Sequence, residues 1–138
     1  MDNYKEKLVV FDKYENAVDA NIIKGALESS GIVAGVIGDS TANAVWMAPI
    51  MVVVFRRDLE QAIAAVYDGE MNYEDYKDDM SQEQFENLQA CSKTFGAIAL
   101  KCHPELAGKQ YRHLFEDAKD ALAANRLDVL NAILAQLP

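Results

Sequence analysis

The chain is poor in the residues that cross-linking, metal binding and covalent catalysis most often need: among 138 residues there are two cysteines, two histidines, three prolines and one tryptophan. Cys91 and Cys102 fall in one helical pattern, 11 positions apart, which at 1.5 Å per residue is about 16 Å and too far for a disulfide. Reduced core thiols are expected. Long apolar runs are also missing. Ile50 to Phe55 is far too short to span a bilayer, and Met1 to Lys7 has no basic segment leading into an apolar one, so no membrane association is expected and residence is expected to be cytoplasmic. Positive charge is scarce and scattered. The formal net charge is -9, with 6 basic against 10 acidic residues through Gly69 and 7 against 12 after it, and Arg56-Arg57 is the one adjacent basic pair. Phosphate-backbone affinity needs clustered Lys and Arg, so nucleic acid is not an expected partner.

Reactive constellations are equally thin. Cys91, Cys102, His103 and His113 lack the paired close spacing of a zinc site, and neighbours such as Cys102 and His103 at a helix end point in different directions. No oxyanion donor or orienting carboxylate can be named beside them. The stretch from Asp68 to Glu83 is strongly acidic but lacks the Asp-x-Asp-x-Asp-Gly order and terminal glutamate of a calcium loop. The expectation is a chain with no catalytic residues, metal or cofactor.

What is present is a change of pattern near the middle: alternating strand and helix signals to Val66, an acidic bridge, then helical periodicity to Pro138. With 51% hydrophobic and 25% charged residues, the chain has the composition of a globular protein. The boundaries read as residues 1–68 for a β-α-β-β-α domain, 69–83 for an acidic linker and 84–138 for a helical domain, an α+β chain overall. Lys7 to Phe11 reads as a buried strand. Asn16 with Asp19 starts a helix whose apolar set is Ala20, Ile23, Ala26 and Leu27, and Gly31 ends it. Ile32 to Ile37 and Ile50 to Phe55 are the next strands. Asp58 with Gln61 opens a second helix carrying Ala62, Ile63 and Val66.

This order is a ferredoxin-like arrangement lacking one strand. The stretches Glu15 to Ile32 and Met51 to Ala62, with Leu-x-x-x-Gly-Ile at Leu27 to Ile32 and Asp-x-x-x-Ala at Asp58 to Ala62, resemble a family of small prokaryotic signal-transducing domains that are distantly compared with the nitrogen-regulatory PII proteins. The resemblance covers about the first half of the chain and implies a PII-like fold and a regulatory or binding role, with no ligand set carried over. Between the second and third strands lies Asp39-Ser-Thr-Ala-Asn-Ala-Val-Trp46-Met47-Ala-Pro49. Trp46 and Met47 there serve either as a partner-binding anchor or as cover for an open sheet face. Asp39, Ser40 and Thr41 offer polar groups to a small ligand, without a glycine-rich phosphate cradle.

In the second half, Ser81-x-x-Gln84 is a capping box, after which Phe85, Leu88, Cys91, Phe95, Ile98 and Cys102 form one helical stripe. Pro104 pushes His103 toward an extended conformation and suits the first turn of a following helix, whose positive end Glu105 favours. Tyr111 to Leu122 and Leu127 to Leu137 give two further stripes, broken at Asn125-Arg126. Leu100 to Leu106, with Leu114 to Leu130 after it, resembles a divergent J domain, the co-chaperone module whose signature is His-Pro-Asp between two helices. The resemblance covers roughly Phe85 to Leu134. It implies an all-α helical hairpin or three-helix J-like domain, with His103, Pro104 and Glu105 contacting a DnaK-type chaperone. Glu105 stands where that family has aspartate, which displaces the carboxylate by about one methylene. The preceding helix has a mixed face (Glu83, Glu86, Lys93, Lys101) in place of a basic one.

Together these readings predict a non-enzymatic regulatory or protein-interaction module with a protein partner. Its alternatives are a co-chaperone adaptor for a DnaK-type chaperone and a PII-like small-ligand sensor. Open sheet edges add the expectation of a homodimer.

Overall fold

The computed structural model describes residues 7–38, 50–69 and 71–138. The chain is mixed α+β and divides into two compact units, Met1–Val66 and Tyr67–Pro138.

Unit 1 holds strand β1 (Leu8–Tyr14), helix α1 (Ala17–Ser29), strands β2 (Ala34–Ile37) and β3 (Ile50–Phe55), and helix α2 (Leu59–Tyr67), whose last residue belongs to unit 2. A short 3-10 turn, Arg56–Asp58, leads into α2. The sheet order is β1-β3-β2, and β3 is antiparallel to both neighbours. β1 and β2 are therefore parallel, with β3 inserted between them and α1 as the crossover. β1 runs three residues past the expected end because a bulge absorbs Phe11: Val10 faces Val53 and Asp12 faces Val52. Phe11 keeps the inward side that alternation from Val9 gives it, at 2% exposure, and the bulge shifts the facing of the residues after it, so that Asp12 stands opposite Val52.

The ends of α1 follow from its sequence. Asn16 accepts a hydrogen bond from the Asp19 amide at 2.8 Å, satisfying an orphan donor of the first turn. At the other end Gly31 adopts φ 81°, so that the Gly31 and Ile32 amides reach the Glu28 and Leu27 carbonyls, both at 3.0 Å. The core has Val9, Phe11, Val52 and Val54 of the sheet buried together with Ala20 and Leu27 of α1 and Leu59, Ala62 and Ile63 of α2. Ala26, expected in the buried stripe of α1, is exposed, and Ile23 is half-buried. The small α1 contact stripe is centred on Ala20 and Leu27. Strand alternation puts Leu8, Val10, Lys13, Gly35, Ile37, Met51, Val53 and Phe55 on the opposite face.

Unit 2 is helical. The acidic segment expected as a linker is folded against its first long helix: Tyr73–Asp75 forms a 3-10 turn capped by Asn72, and the Tyr73 and Tyr76 rings each lie 5.4 Å from that of Phe85. Charge marks this stretch as solvated, but its two tyrosines anchor it. Helix α3 (Gln82–Cys102) starts at the Ser81/Gln84 box, with both reciprocal bonds made. A single turn α4 (Pro104–Ala107), α5 (Arg112–Ala123) and α6 (Leu127–Gln136) follow. Helices α3, α5 and α6 pack pairwise into a three-helix cluster. Its centre holds Cys91, Phe95, Ile98 and Cys102 from α3, Phe115 and Ala118 from α5, and Leu130 and Ile133 from α6. Asn125, at φ 55°, makes the break between α5 and α6 that glycine makes after α1.

Candidate functional site: the helix corner

Main-chain hydrogen bonds close both helix ends at the corner after α3. The His103 amide still bonds the Ala99 carbonyl at 2.8 Å, closing α3, while φ -56° and ψ 131° set the residue extended, as the following proline requires. Pro104 then occupies the first position of α4, where its missing N–H costs nothing. The His103 carbonyl accepts from the Leu106 and Ala107 amides at 2.8 and 2.9 Å, and Gly108 at φ 76° ends the turn.

The imidazole does the capping. His103 Nδ1 accepts from the Glu105 amide at 3.1 Å, and the ring lies against Phe115 with centroids 5.0 Å apart. Only 4% of the residue is exposed. An Nδ1 that accepts carries no proton, so the neutral ring is the tautomer with its proton on Nε2. Of the tripeptide, Pro104 is half-buried and Glu105 is exposed. The corner thus offers a partner a carboxylate and a proline edge while the imidazole is turned inward. Sequence spacing brings the three residues together but does not reveal that His103 faces Phe115.

Behind the corner lies Cys102, fully buried. Loss of hydration pushes its thiol from the ordinary 9.0 up to about 11. Cys91 is also raised, by burial first and by Asp128 second. Both thiols stay protonated at neutral pH. Linkage fixes the alkaline behaviour: between 9 and about 11 the unfolded chain has released the Cys102 proton and the folded chain has not, so stability is intact below 9 and falls as pH rises through that window. A shift of this size corresponds to at most about 3 kcal/mol. Denaturant midpoints of wild type and Cys102→Ala measured across this range are expected to converge with rising pH. A constant gap between the two curves would contradict the assignment.

Asp39, Ser40, Thr41, Trp46 and Met47, the other residues expected at a site, lie outside the described residues. Among the described residues no group of three His, Cys, Asp or Glu side chains stands close enough to hold a metal ion, and no helix is long and apolar enough to cross a membrane.

One surface was missed by sequence reasoning. Val18 and Ile22, one turn apart on α1, are 68% and 61% exposed, and the next turn continues this line with exposed Gly25 and Ala26. Their i, i+4 spacing, off the Ala20/Leu27 stripe, is the signal that would have found them. Comparison with family models, with curated proteins and with solved structures gives no match.

Proposed function

We propose that this chain is a non-enzymatic protein-interaction module with a regulatory role. The observation that carries the proposal is the outward apolar pair Val18 and Ile22 on α1. A single exposed aliphatic residue needs no explanation, but two on adjacent turns, beside small side chains that let another backbone approach, form a low apolar ridge suited to a partner protein. The parallel β1 and β2 with β3 between them support reading unit 1 as three strands of a ferredoxin-like sheet of the signal-transducer type.

The test is retention of protein partners by the immobilised full chain and by a Val18→Gln/Ile22→Gln variant. Both positions are exposed and glutamine is a good helix former, so folding stability should change by no more than about 0.5 kcal/mol per site. Binding reduced at least about tenfold in the variant, corresponding to 1.4 kcal/mol, is the expected result. Equal retention by both proteins would overturn the α1 reading. A second reading, the co-chaperone adaptor, is favoured by the exposed Glu105 at a proline corner between packed helices. The same experiment decides it, through retention of a DnaK-type chaperone that Glu105→Ala abolishes.

A further inference from the structure

We propose that the outer face of α1 seats a helix of a partner protein, an apolar helix with basic flanks that crosses α1 closely at Gly25. This rests on Val18 and Ile22 being a partner surface, and adds what kind of partner they meet. At about 100° per residue, Val18, Ile22, Gly25 and Ser29 fall in one row, directly opposite the buried Ala20 and Leu27. All four are exposed.

Gly25 is the residue that the unit itself does not explain. It lies inside the 13-residue helix Ala17–Ser29, where glycine is less favourable than alanine, and its φ is outside the left-handed region that calls for glycine. A Cβ placed on it would meet no atom within 4 Å. At Gly96, by contrast, a Cβ would stand 2.9 Å from Tyr67. That glycine has its reason inside the chain, whereas Gly25 has room for a side chain and lacks one. A missing side chain next to an exposed aliphatic pair is a notch, in which the ridge of a second helix can settle and bring the two backbones together. An extended strand would gain nothing comparable, since the side of a helix offers no free backbone groups to pair with.

The polar groups of the face suit it to being covered. Ser29 Oγ donates to the Gly25 carbonyl at 2.9 Å and Asn21 Nδ2 to the Ala17 carbonyl at 2.8 Å, so each satisfies a donor within α1. Charge sets the partner's flanks. Asp19 and Glu28 lie on either side of the row, while Lys24, the one basic residue of α1, is turned further toward the core side and bonded to Glu28 at 3.3 Å. Glu15, exposed just before the cap, adds another carboxylate. Lysines or arginines flanking an apolar face complement this arrangement. A second copy of the chain would bring the same carboxylates, and a net charge of -9, against their like.

The experiment is a nuclear magnetic resonance titration of the 15N-labelled full chain with two synthetic peptides of about 20 residues, long enough to be helical in water. Both carry alanine and leucine on one face; one has lysine on the flanks and the other glutamate. The expected result is that the lysine peptide perturbs the amides of Val18, Ile22 and Gly25, and that the glutamate peptide binds at least about tenfold more weakly. Gly25→Leu, which fills the notch, should weaken the lysine peptide at least about tenfold, while the denaturant midpoint of the chain stays level or rises, because leucine is the better helix former and has room. Binding kept in Gly25→Leu but lost in Val18→Gln/Ile22→Gln would overturn the close crossing and leave the apolar ridge standing, and binding kept in both would remove the ridge as well. Equal affinity for the two peptides, no binding of the lysine peptide, or self-association of the chain that Gly25→Leu abolishes would each overturn the proposal, the last by assigning the face to a second copy. The two-peptide comparison uses the wild-type chain, so it holds even if a variant fails to fold.

Discussion

Phe95→Ala is expected to remove most of the stability of unit 2. Phe95 is 1% exposed, edge-on to Tyr67 with ring centroids 4.7 Å apart, and 5.8 Å from Phe115, which in turn carries the His103 ring. It therefore joins the start of the unit to α5 and to the corner through one row of rings. Truncating a buried phenylalanine costs about 3–5 kcal/mol, since the transfer energy of the ring is lost and the cavity collapses only in part. A unit of roughly 70 residues has about 4–10 kcal/mol in total. The loss is thus comparable to the whole. Guanidinium unfolding followed by near-ultraviolet circular dichroism should show the midpoint moved to very low denaturant. A shift below about 1 kcal/mol would mean that the ring row does not hold the unit together.

The neighbouring glycine shows where sequence reading ends. Gly96 sits inside α3, where glycine costs about 1 kcal/mol against alanine, and nothing in the helical stripe explains it. The structure does: a Cβ at Gly96 would stand 2.9 Å from Tyr67 Cβ, and the Tyr67 backbone lies within 4 Å. The contact is completed by Ser92 Oγ, which donates to the Tyr67 carbonyl at 3.1 Å. A close approach between residues nearly thirty positions apart leaves no local pattern. Terminators and caps, by contrast, are local by nature. That is why Asn16, Gly31, Ser81 with Gln84, and the break at Asn125 could be read directly from the sequence.

The same distinction separates what was legible at the corner from what was not. Pro104 dictates an extended residue before it and a helical start after it, so the bend itself follows from two residues. Which way the imidazole turns depends on Phe115, contributed by a different helix. In unit 1 the order of elements is local and the order of strands in the sheet is not. The β1 bulge belongs to the second class. It hides in an apolar run, Leu8 to Phe11, whose alternation would otherwise predict a plain strand ending at Phe11.

Val54→Asp is the corresponding test of unit 1, and its dependence on pH carries more information than its size. Val54 is fully buried in the central strand, paired with Val9 of β1 and Ala34 of β2, both buried and apolar. A carboxylate placed there finds no charge partner in its cross-strand neighbours, and an uncompensated buried charge costs several kcal/mol, enough to unfold a small domain at neutral pH. Desolvation raises the carboxyl pKa in the fold above the unfolded value of about 3.9. The folded chain then binds the extra proton more readily than the unfolded chain, so the penalty is largest at neutral pH and shrinks as pH falls toward the unfolded value. Val54→Asn, polar but without that titration, should be destabilised by an amount that pH does not change. Denaturant unfolding of the two variants near pH 7 and near pH 4.5 (about 2.5 units apart, across the carboxyl range) should therefore bring the aspartate variant closer to the wild type at the acid end. Equal pH dependence for Asp and Asn would mean that position 54 is hydrated, and that the sheet does not close on its central strand as Val9, Val54 and Ala34 are arranged to make it do.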